Sequence, residues 1–92
     1  MPGVMRVTDI NRCGKGSVGR YVDGSPTVFA ENLKVIRVTD PYTCPHCGGN
    51  AVQGETSVKI NNLDVHLVGH QNCDCDGCGN AQSGSNTVFV LG

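Results

Sequence analysis

The stretch "DPYTCPHCGGN", residues 40–50, sets Cys44, His46 and Cys47 within four positions beside two glycines. Thiolate and imidazole at this spacing make half of a tetrahedral metal site, because zinc takes four S or N donors and a short loop can supply two of them. Cys13, His70, Cys73, Cys75 and Cys78 are further candidates elsewhere in the chain. That is more than one ion needs. A site closed by four protein ligands leaves no position for water, so such a metal would serve rigidity rather than catalysis. No nucleophile–base pair, carboxylate pair or cofactor fingerprint accompanies it. "GKGSVG" lacks the Lys-Ser/Thr step into a helix that a phosphate loop requires. The expectation is a protein that is not an enzyme and has no small-molecule substrate.

Something must position these donors, and the composition limits what it can be. Ninety-two residues make one small domain, 1–92, and a chain of this size buries only about 60–65% of the surface its unfolded form exposes. Aromatic residues are 4% of the chain and Trp is absent, so a metal is expected to add to a thin core. A net charge of −1 with no Lys/Arg run argues against a nucleic-acid partner. "MPGVMRVTDINR" contains no apolar segment of signal-peptide type. The expected site of synthesis is therefore a reducing cytoplasm, where cysteine clusters bind metal more often than they form disulfides.

Self-comparison divides the chain into three units, approximately 4–34, 35–64 and 65–92, beginning at Val4, Val35 and Val65. "RVTD" occurs at 6–9 and again at 37–40, and Gly24, Gly54 and Gly84 coincide, as do Val28, Val58 and Val88. "TVFA", "SVKI" and "TVFV" read as strands, and "ENLK" and "NNLD" as polar turns leading to "VIRV" and "VHLV". The aligned glycines are expected to supply positive φ at a further turn. No helical period survives beyond ten residues. The fold class is all-β, with the three units expected to close about a pseudo-threefold axis because open stacks usually need more repeats and caps. Closure brings the three cysteine-bearing segments together at one end.

An axial metal needs at least one ligand from each unit, which favours Cys13, Cys44 and Cys75, with Cys47 as the fourth and His70 or Cys78 as alternates. One structural Zn2+ per chain is expected. A second assignment joins Cys44, Cys47, Cys75 and Cys78 as two C-x-x-C knuckles. His66 aligns with Met5 and Ile36 and reads as a packed histidine with one hydrogen bond. Asp9 and Asp40 read as turn-stabilising side chains, and His70 stands in their place in the third unit.

The thrice-repeated pattern "VTD…C…GG…GS-T-V-F…N-L…V-RVTD" resembles the PAAR-repeat proteins. "LKVIRVTD" corresponds to the family's Pro-Ala-Ala-Arg before Val-Gly-Asp, "GSPTVF" and "GSNTVFV" to its Gly-Ser-x-x-Val-Phe strands, and "DPYTCPHCGG" to its metal-bearing loops. The third unit carries "VGH" instead. The resemblance implies a small cone pinned by zinc near its apex. Such a cone is the membrane-piercing tip of a trimeric β-helical spike, in a contractile phage tail or a type VI secretion system. It further implies one chain per trimer, a target membrane contacted mechanically, and a place on the virion baseplate or injection-machine spike, with no toxin fused to this chain. The alternatives are a cytoplasmic zinc-ribbon-type adaptor binding a protein partner, a rubredoxin-like iron site and a disulfide-stapled secreted module.

Overall fold

Three tight turns shape the backbone, and "RVTD" forms two of them. The computed structural model describes residues 3–89 except 15, 46, 76 and 86. Asp9 N–H donates to Arg6 C=O, Asp40 N–H to Arg37 C=O and His70 N–H to Leu67 C=O, all at 3.0 Å. The first residue of each turn pairs with another segment, through the bridges Arg6↔Val35, Arg37↔Val65 and Val4↔Leu67. The remainder turns because the third residue of each stretch has positive φ, at Thr8 (80°), Thr39 (83°) and Gly69 (93°). The aspartates stabilise these turns as expected. Asp9 Oδ2 accepts from Arg6 N at 2.9 Å and Asp40 Oδ2 from Arg37 N at 2.7 Å, and each carboxylate also binds its arginine's guanidinium. His70 takes the same role, its Nδ1 accepting from Leu67 N at 3.1 Å.

Threonine is β-branched and poorly suited to positive φ, whereas glycine is not. A Cβ at Gly69 would meet nothing within 4 Å, so any cost there is conformational alone. Gly69→Thr is expected to lower stability by roughly 1–2 kcal/mol, and Thr39→Gly to leave it unchanged or raise it. Urea unfolding of both variants checks this. A stability loss in Thr39→Gly as large as that in Gly69→Thr would refute it.

Three antiparallel hairpins follow the turns: β1 (Ile10–Arg12) with β2 (Val18–Tyr21), β5 (Pro41–Thr43) with β6 (Gly49–Ala51), and β9 (Gln71–Asp74) with β10 (Gly77–Asn80). They join antiparallel into one six-stranded sheet in the order β1-β2-β5-β6-β9-β10. An Asn11↔Ala81 bridge brings its last strand back to its first. The result is a nearly closed, barrel-like sheet with all three hairpin loops at one end. Two further hairpins, β3 (Phe29–Ala30) with β4 (Leu33–Lys34) and β7 (Glu55–Ile60) with β8 (Leu63–Val65), lie in the connections at the other end. Their "EN" and "NN" turns have φ values of 53° and 67°, and 53° and 70°. This pair of positive φ values suits a two-residue hairpin loop, and Asn tolerates it better than most residues. No helix occurs among the described residues, so the chain is all-β.

The aligned glycines do something other than what the sequence implied. Gly24, Gly54 and Gly84 do not have positive φ; each lies against another segment of the backbone. A Cβ there would fall 2.6, 2.9 and 2.8 Å from the carbonyl oxygens of Val35, Val65 and Val4. Gly19, Gly49 and Gly79 are tighter still, with Thr43 O, Cys73 O and Arg12 O at 2.3, 2.2 and 2.0 Å from the same position. Only a residue without Cβ lets the strands approach this closely.

The core has two clusters. Met5, Ile36, Tyr21, Tyr42, Ala51, Ala81 and Cys13 form the first, and Val4, Ala30, Val35, Val65 and Leu67 the second. Between them runs a ring of backbone hydrogen bonds: Met5 N to His66 O at 3.0 Å, His66 N to Ile36 O at 3.0 Å, and Ile36 N to Met5 O at 2.8 Å. Tyr21 and Tyr42 are each 1% exposed and their rings lie 5.4 Å apart. Two tyrosines thus supply much of the apolar area that the aromatic-poor composition withholds. The molecule spans 31 × 24 × 23 Å.

Candidate functional site

Cys13, Cys44, Cys47 and Cys75 lie in the three hairpin loops, and Cys73 and Cys78 face each other on β9 and β10. Cys13 follows β1, Cys44 follows β5, and Asp74 ends β9. Side chains alternate along a strand, so these three share a face with Asn11, Tyr42 and Asn72, two residues earlier on the same strands. Asn11 and Asn72 are fully buried and Tyr42 nearly so. The ligand atoms of Cys13, Cys44 and Asp74 all lie within 4.8 Å of one another, a group of two sulfurs and a carboxylate that can hold a metal ion. Asp74 is firmly placed: its Oδ2 accepts from Tyr42 O–H at 3.0 Å and from Gly14 N–H at 2.9 Å, and Cys44 Sγ is 3.7 Å away. Burial, with the Asp74 carboxylate nearby, pushes the Tyr42 phenol up to about 12, so it is a neutral donor at any ordinary pH. Asn11 Oδ1 and Asn72 Oδ1 are buried acceptors with no hydrogen-bond partner among the described residues. Such atoms favour a donor or a cation over an apolar neighbour.

All six cysteines are paired. Cys13–Cys44 links the first hairpin to the second, Cys47–Cys75 links the second to the third, and Cys73–Cys78 closes β9 onto β10. The expected ligands Cys13, Cys44, Cys47 and Cys75 are therefore gathered at one end, as two bonded pairs rather than four separate thiols. The two-knuckle set Cys44, Cys47, Cys75 and Cys78 is divided among three different pairs. His70 is occupied by its turn. Cys78 is on the exposed side of its hairpin, bonded to Cys73. His46 lies outside the described residues.

Asp74 is the residue that sequence reasoning missed. The units begin at Val4, Val35 and Val65, and the ninth residue after each is Cys13, Cys44 and Asp74. Cys75, the ligand expected from the third unit, is the next residue along. In a strand one residue reverses the side chain's direction. Cys75 is exposed in the hairpin turn, bonded to Cys47 instead of facing Cys13.

The fit to a metal depends on oxidation. As thiolates, Cys13 and Cys44 with the Asp74 carboxylate form a donor set that suits a zinc-type ion; as a disulfide the sulfurs carry no charge and do not. His66 is fully buried between Tyr21 and Gln53. Its Nδ1–H donates to Gln53 C=O at 2.7 Å, leaving Nε2 to accept from Tyr21 O–H at 3.0 Å. Burial lowers its pKa to about 4, so it is neutral at pH 7.

At the other end, Val4, Val35 and Val65 floor an apolar hollow of about 500 Å³ whose walls include Val28, Phe29, Val58, Ile60, Val88 and Phe89. Phe29, Val88 and Phe89 are 53%, 40% and 44% exposed. No protein-family model matches this chain, and no curated protein matches it at a significant level.

Proposed function

We propose that this protein is a PAAR-type spike tip: a metal-stabilised cone that caps a trimeric β-helical spike of a contractile phage tail or type VI-like secretion machine and pierces a membrane on contraction. The chain is then three copies of one unit about a pseudo-threefold axis. The ring of backbone hydrogen bonds joining Met5, Ile36 and His66 carries this proposal, because those residues occupy one register position in the three units. The close contacts of Gly19, Gly49 and Gly79 on Thr43, Cys73 and Arg12 support the same symmetry. So do the three turns with positive φ at Thr8, Thr39 and Gly69. A single chain with this symmetry offers one surface three times, which is what the end of a true trimer requires of a cap.

The apolar hollow supports a docking role for the wide end. It exposes two phenylalanines where a soluble protein has reason to cover them, and it lies away from the cysteine-bearing loops. At the narrow end, Zn2+ held by reduced Cys13 and Cys44 with Asp74 would tie all three units together, one ion per chain. The role is mechanical: loops too small to bury a core are held by coordination while the spike is driven outward from the cell or virion in which it assembles.

Co-expression with a trimeric β-helical spike protein from the same source, followed by native mass spectrometry, tests the proposal. One chain per three spike chains is expected. Phe29→Asp combined with Phe89→Asp should weaken the complex at least about 100-fold, since each buried phenylalanine contributes roughly 1.5–3 kcal/mol. The isolated variant should still fold, because both rings are exposed. A stoichiometry other than one to three, or binding indifferent to these substitutions, would overturn it.

A further inference from the structure

Cys13 Sγ and Cys44 Sγ are bonded to each other and also lie beside the Asp74 carboxylate, with all three ligand atoms inside 4.8 Å. The two roles of these sulfurs exclude one another. A metal needs them as thiolates, whereas sulfur in a disulfide is uncharged and a poor ligand. We infer that the hairpin end is held by a redox-exchangeable pin, in which reduced Cys13 and Cys44 hold a zinc-type ion with Asp74 and oxidised Cys13 and Cys44 replace that ion by their own disulfide. This rests on the metal-stabilised tip proposed above and adds the chemistry that controls it.

The connectivity makes the exchange possible without releasing the hairpins. In the oxidised chain, Cys13–Cys44 joins the first hairpin to the second and Cys47–Cys75 joins the second to the third. In the reduced chain the ion joins the same three, reaching the third through Asp74. Tyr42 O–H and Gly14 N–H hold Asp74 in position at 3.0 and 2.9 Å, so one ligand is already placed when the thiols open. Cys73–Cys78 lies within a single hairpin and cannot tie units together. Tip rigidity is thereby kept in reducing surroundings by coordination and in oxidising surroundings by covalent bonds.

The step balances with a low-molecular-weight disulfide as oxidant. Cys44 is partly exposed and Cys13 only 5% exposed, so the Cys44 thiolate attacks the oxidant, breaks its S–S bond and releases one thiolate. The Cys13 thiolate then attacks the mixed disulfide, forms the Cys13–Cys44 bond and releases the second. Two electrons pass from the two cysteine sulfurs to the oxidant. The metal leaves as a divalent cation of unchanged charge, and the released thiolates take up protons from solvent. A dithiol reductant runs the reverse.

The test uses the unaltered chain, reduced anaerobically with a phosphine, loaded with zinc, freed of excess metal and titrated with glutathione disulfide. Zinc release is followed with a chromophoric chelator while free thiols are counted and new bonds are mapped by peptide mass spectrometry. One zinc per chain should bind, and it should leave as two thiols are lost, with Cys13–Cys44 the first inter-hairpin bond to appear. Replacing Cys73 and Cys78 together by Ser should not alter that release. The zinc-loaded and oxidised forms should melt within a few degrees of each other, and the reduced metal-free form at least about 10 °C lower. Zinc retained after Cys13–Cys44 has formed, or released only as Cys47–Cys75 closes, would overturn the exchange while leaving the metal site in place. A reduced, folded chain that takes up no zinc would remove the metal tip and the exchange together.

Discussion

Cys44→Ser lowers the melting temperature by roughly 15–25 °C and abolishes metal retention. In the oxidised chain it opens a cross-link between residues 31 apart in sequence. Loop-closure entropy puts that at about 3–4 kcal/mol, and in a domain of this size each kcal/mol moves the midpoint by about 4–8 °C. In the reduced chain it removes one of the two sulfurs that stand beside Asp74, and structural metal binding can contribute on the order of 10 kcal/mol to folding. Cys78→Ser is the natural comparison. It opens a cross-link between residues only 5 apart, about 2 kcal/mol by the same reckoning, and leaves the group of Cys13, Cys44 and Asp74 intact. Circular-dichroism melting with and without reductant, together with elemental analysis of each preparation, separates the two variants. Full metal content and an unchanged melting curve in Cys44→Ser would remove Cys44 from the site.

Acid destabilises this protein as the pH falls from about 6.5 toward 4. His66 titrates near 4 in the folded chain and near 6.5 when unfolded. Its folded pKa is depressed, so the unfolded state binds the proton first. The stabilisation from keeping it neutral is whole above about pH 6.5 and falls by about 1.4 kcal/mol per pH unit toward pH 4, for a loss of about 3 kcal/mol. Below pH 4 the folded state is protonated too and this contribution flattens. His70, whose pKa burial also lowers, adds a shallower slope of the same sign. His66→Met, which restores the residue type found at Met5, should remove most of the slope. It should also cost about 1–3 kcal/mol at pH 7, because Tyr21 O–H and Gln53 C=O lose their partner. Urea unfolding from pH 7.5 to 4.5 measures both effects. An undiminished slope in His66→Met would assign the acid sensitivity elsewhere.

The contrast between His66 and Asp74 marks how far linear pattern carries. His66 was recognisable as a packed histidine because Met5 and Ile36 hold its register position, and an apolar position predicts burial. Its two hydrogen bonds come from Gln53 and from Tyr21, a residue 45 positions away, and no local pattern announces them. Asp74 was within reach of the period, yet a carboxylate among cysteines does not stand out by chemistry. The aspartates mark the tight turns at Arg6–Asp9 and Arg37–Asp40, although valine and threonine within them favour strands. Positive φ at a threonine runs against its own preference, and tertiary hydrogen bonds such as Thr8 N–H to Tyr21 C=O at 2.9 Å hold it there.

What the sequence determined by itself is local. β-formers alternate between polar Asn-containing turns and no helical period survives, so an all-β chain of short hairpins follows from side-chain preference alone. Only the tertiary structure decided which atoms meet. Gly19, Gly49 and Gly79 keep their place through strand-to-strand distance rather than through φ, since the carbonyls that would strike a Cβ belong to other hairpins. Cysteine partners, likewise, are chosen by the order in which six strands join into the sheet. That order is set by pairings between hairpins such as Tyr21↔Tyr42, Gly49↔Asp74 and Asn11↔Ala81, and composition and spacing along the chain carry no record of the directions in which those residues approach.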